Sequence, residues 1–224
     1  MNNLTLYHST SEFFLKSIET SGLGAINPNN SYGILNFLNN LFELSEKHLI
    51  NNKKYLNIQF STQGMAKQIN KGGFNFKHSK TYLTMNKDTA IRYSLYEYGS
   101  ELLSRSIVLY KLLCENGFEN EIDTSVLKFD LHFLLKKNYK KILLKVNNID
   151  VNLLETEYGE NPIKQLQEID FFKQNDIETF NILSQQYNFA LNSPINIKDI
   201  DIFEIIINKT DGIFSEYKLI KYIG

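Results

Sequence analysis

The segment Leu6-Tyr7-His8-Ser9-Thr10-Ser11-Glu12 decides how the N-terminal region is read. From Asn3 to His8 polar and apolar residues alternate, the period-two signature of a strand with one buried face. A helical signature follows at once. Ser9 stands three positions before Glu12, the spacing of a capping box, and Phe13, Phe14, Leu15 and Ile18 supply an apolar stripe. Gly22, after Thr20-Ser21, is the expected stop, because glycine takes the backbone conformations that end a helix without steric cost. The opening is read as strand, helix and glycine stop, with His8 at the strand's end.

Working outward, residues 26–33 are rich in turn formers, and Leu35, Leu38, Leu41, Phe42, Leu44 and Leu49 recur with helical spacing over 34–50. Alternation at 56–60 (Leu-Asn-Ile-Gln-Phe) predicts a strand, Gly72-Gly73 a loop, and 81–84 (Thr-Tyr-Leu-Thr) another strand. Asn86-Lys87-Asp88 caps a predicted helix through Ala90 and Tyr93 towards 97, and a further helix covers about 100–114. Residues 125–135 fit strand and helix equally. Lys141–Val146 predicts a strand closed by a turn at Asn147-Asn148. Residues 163–184 are partly helical, and 189–191, 202–207 and 213–222 predict further strands. No repeat, low-complexity tract or linker interrupts the chain, so residues 1–224 are taken as one α+β domain.

Composition sets bounds on function. The 224 residues carry 24 Lys and Arg against 25 Asp and Glu, a net charge of −1, which gives no broad basic face for duplex nucleic acid. The densest cationic run, Lys136, Lys137, Lys140 and Lys141, reads as a solvated helix end or loop. Cys114 is the one cysteine; it excludes a disulfide framework and, within an apolar run, reads as a buried structural thiol. His48, His78 and His132 lack metal-ligand spacing, and neither Gly22-x-Gly24 nor Gly72-Gly73 forms a phosphate-binding loop. The opening MNNLTLYHST has no basic n-region or apolar h-region, and no apolar run approaches the ~20 residues that span a bilayer. A cytoplasmic protein without membrane partners is expected. Export by a signal-less route would leave the same sequence.

A second segment gives the first its meaning. Tyr82-Leu83-Thr84 is followed by a short loop and a helix carrying Ala90 and Tyr93, so two tyrosines stand eleven positions apart. Tyr7-His8-Ser9-Thr10, Ile18 and Gly22-Leu23, taken with Tyr82-Leu83-Thr84, Ala90 and Tyr93, resemble the two leading signatures of the ADP-ribosyltransferase superfamily, in its PARP-like branch. The likeness covers about 8–23 and 82–93, and 188–207 more loosely.

The resemblance implies a split β-sheet core with flanking helices and a cleft that takes NAD as substrate. Tyr82 and Tyr93 would sandwich the flat, cationic nicotinamide by stacking and cation–π attraction. Backbone groups of Ser9 would pair with the carboxamide, His8 would bond a ribose hydroxyl, and Thr10 and Ala90 would line the same site. Arg92 and Arg105 are candidates for the phosphates, although exposed helical arginines are common.

The third family position departs from the pattern. The family carries a Glu at the start of a late strand; here spacing places Asn188 there, with Gln186 as a register-shifted alternative and Glu204 as the next glutamate, within an apolar run. An amide hydrogen-bonds a hydroxyl but brings no negative charge. The resemblance therefore implies a mono-ADP-ribosyltransferase acting on a protein, nucleic-acid or small-molecule acceptor, as in toxins, effectors and phage–host conflict proteins, with His8, Tyr82 and Asn188 catalytic. Its alternative is a catalytically inactive NAD- or ADP-ribose-binding or protein-interaction module on the same fold. An RNA 2′-phosphotransferase relative ranks last, because it needs an arginine-rich cleft. The acceptor and the oligomeric state are not written in the sequence.

Overall fold

The computed structural model describes residues 4–96, 98–211 and 214–223. In chain order the elements are β1 (Leu6–Ser11), α1 (Glu12–Ser21), α2 (Pro28–Ser31), α3 (Ile34–His48), α4 (Lys53–Lys67), β2 (Asn70–Lys71), β3 (Phe74–Asn75), β4 (Tyr82–Thr84), α5 (Lys87–Tyr93), α6 (Glu101–Glu115), α7 (Leu131–Lys136), β5 (Lys141–Val146), β6 (Leu154–Thr156), α8 (Ile163–Asn175), α9 (Ile177–Gln186), β7 (Asn188–Leu191), β8 (Ile200–Asp211) and β9 (Phe214–Lys221). The class is α+β. The fold divides into two compact units: residues 1–26, 80–99 and 139–224, and residues 27–79 with 100–138.

The first unit is built on a seven-stranded antiparallel sheet in the order β6-β7-β4-β1-β5-β8-β9. Six consecutive pairs, Leu6↔Val146 to Ser11↔Lys141, join β1 to β5, but β1 meets β4 only at Tyr7↔Thr84. The sheet is thus nearly parted along that seam. One face buries Leu6, Leu83, Ile142, Leu144, Val146 and Phe189 beneath Leu15 of α1 and Leu166 and Ile169 of α8. The opposite face buries Leu143 and Ile205 beneath Ala90 and Ile91 of α5.

The second unit is helical. α3 packs on α6 and α4, turning Ile34, Phe37, Leu38, Leu41 and Phe42 inward, and β2 and β3 form a small hairpin. No helix among the described residues is long and apolar enough to cross a membrane.

Three local expectations are corrected. Residues 56–60 are not a strand; they lie inside α4, which Asn52 caps by accepting from the N–H groups of Lys54 and Tyr55. The buried residues of that helix are Tyr55, Thr62, Gly64, Met65 and Ala66, whereas Leu56 and Phe60 are exposed, so the apolar alternation followed the wrong side chains. Ser9 does not cap α1. It belongs to β1, and Ser11 takes the cap position without a side-chain bond to the helix. The helix through Ala90 stops at Tyr93.

Candidate functional site

The pleat of β1 divides the predicted site residues between two faces, because successive side chains of a strand point to opposite sides. His8 stands opposite Leu144 and Thr10 opposite Ile142, both in the larger core; Thr10 is buried there. Tyr7 and Ser9 project to the α5 side, where Leu143, the partner of Ser9, packs with Ala90 and Ile91. On β4 and β7 the pairs Thr84↔Asn188 and Tyr82↔Ala190 lie on this same α5 side, while Leu83↔Phe189 belongs to the core. The fold therefore gathers Ser9, Tyr82, Thr84 and Asn188 on one face across the seam. His8 and Thr10 start from the other.

His8 nevertheless reaches Tyr82. Its Nδ1 lies 2.9 Å from the Tyr82 carbonyl oxygen, so it contacts the backbone of Tyr82. A carbonyl only accepts, which requires Nδ1–H as the donor and leaves Nε2 of the neutral ring as an acceptor. This bond closes the seam just where the β1–β4 ladder ends.

Burial holds the His8 imidazole below its ordinary value of 6.5, and the bond to the Tyr82 carbonyl pushes the other way to a smaller extent. An unfolded chain then takes up a proton below pH 6.5 that the folded chain resists. The stabilisation is complete above that value and is lost as the pH falls below it, by at most about 1.4 kcal/mol per pH unit. The melting temperature should drop on acidification below 6.5, by no more than about 3–6 °C per pH unit. His8→Gln should flatten that slope; a slope unchanged in the variant would assign it to other groups.

Short connections position the remaining side chains. Two residues join β4 to α5; Asn86 Oδ1 accepts from the Thr89 N–H at 2.9 Å, and the Asn86 N–H donates to Thr84 Oγ1 at 3.3 Å. The helix ends at Tyr93, which is 47% exposed and lies 6.2 Å from the ring of Tyr96. The chain then returns to β1, where Ser11 Oγ donates to the Tyr98 carbonyl at 2.9 Å and Gly99 sits against the backbone of Thr10 and Ser11. Arg92 donates to Thr89 Oγ1 and Gln185 Oε1, while Arg105 lies in the helical unit on α6.

Asn188, expected at the start of a late strand, is half-buried and opens β7. Gln186 is the last residue of α9 and is exposed. Glu204 stands opposite Ile142 and is paired with Lys140 at 2.8 Å, away from the face of Asn188.

Ser9 adds a feature that spacing did not reveal. Its Oγ is buried and has no hydrogen-bond partner among the described residues. A buried hydroxyl without a partner costs about 1–3 kcal/mol, a cost that a ligand group can relieve. Tyr7 and Thr84 stand within the two quoted motifs without a role assigned to them, and Gly99, in the turn-like Tyr98-Gly99-Ser100, was missed. Among the described residues no cluster of three or more His, Cys, Asp or Glu side chains suits a metal. A separate open pocket of about 290 Å³ lies beside β6, lined by Asn152, Glu155, Glu160, Asn161 and Asn192, and contains none of the predicted site residues.

Comparison of the chain with protein-family models, curated proteins and solved structures gives no match. The functional reading rests on residues and geometry.

Proposed function

We propose that the chain binds NAD at the β1–β4 seam and transfers its ADP-ribosyl group to an acceptor. The observation that carries this reading is the bond from His8 Nδ1–H to the Tyr82 carbonyl, with Ser9, Tyr82 and Asn188 sharing the adjoining face. His8 Nε2 is left to accept from a ribose hydroxyl. Tyr82 and Tyr93 offer aromatic faces to the nicotinamide cation. Ser9 Oγ, unpartnered among the described residues, supplies a polar contact for the carboxamide.

In the reaction the bond between the nicotinamide nitrogen and C1′ of the ribose breaks, and neutral nicotinamide leaves with the electron pair. Positive charge develops on the sugar, as in glycoside hydrolysis. An acceptor oxygen or nitrogen then bonds to C1′ and releases its proton. The protein's part is to orient the sugar and hold the acceptor in line. Asn188 bonds a ribose hydroxyl through its amide, without the charge stabilisation that a carboxylate gives.

Incubation with NAD, with free nicotinamide measured and ADP-ribose adducts sought by mass spectrometry of a lysate, tests the reading. Asn188→Glu should raise nicotinamide release about tenfold by placing a negative charge near the developing cation, while Asn188→Gln should not. NAD binding without release in either protein would favour the inactive binding module, and absence of both binding and release would reject the site.

A further inference from the structure

From Lys47 to Lys87 the chain carries eight lysines and no carboxylate, a local excess hidden by the net charge of −1. Most of this run lies in the helical unit, on α4 and the β2–β3 hairpin. Helical spacing puts Lys53, Leu56, Phe60, Gly64 and Lys67 along one stripe of α4. Lys54 and Lys67 pair with Glu115 and Glu43 of neighbouring helices. Lys53, Lys71 and Lys77 have no carboxylate partner among the described residues, and Lys71 lies 4.3 Å from the centre of the Phe60 ring while bonding Gln63.

Two phenylalanines, Phe74 and Phe76, continue the stripe onto the hairpin. The Phe76 ring covers Gly64, where a Cβ would come within 2.3 Å of it, and Phe60 packs against Gly72. Phe60 and Phe74 stand 6.2 and 6.1 Å from Phe76. Docking of the hairpin accounts for Phe76 and part of Phe60. It leaves Phe74 64% exposed and Phe60 47% exposed, between lysines and the side chains of Asn57 and Gln63.

We propose that this face binds single-stranded nucleic acid, bases stacking on Phe74 and Phe60 and phosphates meeting Lys53, Lys71 and Lys77. Exposed rings set among cations without acidic partners are the chemistry that holds unpaired bases and their backbone. The other side of α4 is core, so the helix cannot roll its apolar residues into a bilayer, and the amides along the stripe suit bases better than acyl chains. The proposal stands independently of the NAD reading.

Fluorescence anisotropy of the full chain with labelled oligo(dT) and oligo(U) of about 16 nucleotides tests it. Binding should weaken with salt at a log–log slope of about −2, for three phosphate contacts. Phe74→Ala should weaken binding roughly tenfold, and a Lys71→Gln/Lys77→Gln variant should reduce the salt slope, with melting temperatures and NAD turnover unchanged. No binding at low salt, binding indifferent to these variants, or a clear preference for phosphatidylserine vesicles that oligonucleotide does not displace would each overturn the proposal.

Discussion

Gly99→Ala is expected to destabilise the sheet-bearing unit by about 3–5 kcal/mol, among the largest effects of any single methyl group in this chain. Two causes act together. Gly99 has a φ of +70°, which L side chains rarely adopt, and its added Cβ would lie 2.2 Å from the Ser11 nitrogen and 2.6 Å from the Thr10 carbonyl carbon. Both neighbours are backbone of β1, held by pairing to β5, so neither can move aside cheaply. Relief requires the 94–99 segment to lift, which breaks the bond from Ser11 Oγ to the Tyr98 carbonyl. For a chain of this size a loss of about 3–5 kcal/mol lowers the melting temperature by roughly 10 °C. Gly117→Ala is the control: it also has positive φ, but its Cβ would meet nothing within 4 Å. A Gly99→Ala melting temperature no lower than that of Gly117→Ala would show that the return of the chain onto β1 is not tightly packed.

Much of the fold is legible where hydrophobic period and capping chemistry agree. α3 and α6 show the helical period, Asn86 caps α5, and the apolar run Lys141–Val146 forms the central strand β5. Legibility fails where apolar residues face outward. In α4, Leu56 and Phe60 stand exposed and mimic strand alternation, while the buried face is supplied partly by Thr62 and Gly64, which carry no hydrophobic signal. The two units escape a linear reading because the chain passes between them near 26, 79, 99 and 138 without a Pro/Gly-rich linker.

The candidate site shows the same division. The residues predicted on β1, β4 and β7 are adjacent in the sheet, and Asn188 opens β7 as its spacing suggested. The opposed pleat of His8 and Ser9 was not foreseen, because the strand was read as ending at His8 with Ser9 in the helix cap, whereas β1 runs on to Ser11. Nor does sequence reveal that the imidazole meets the Tyr82 backbone, since that bond exists only because the β1–β4 ladder ends after one pair.

Calorimetric titration of NAD into the full chain and into His8→Ala and Tyr82→Ala tests the central claim most directly. If the proposed site holds NAD, removing His8 takes away one ribose partner and loosens the seam, and removing Tyr82 takes away an aromatic face worth up to about 2 kcal/mol to a desolvated cation. The account expects one NAD per chain, a loss of about tenfold or more in each variant, and no measurable binding in the double variant, with all proteins folded as judged by their melting transitions. No binding to the unaltered chain, or equal affinity for the chain and both variants, would contradict it.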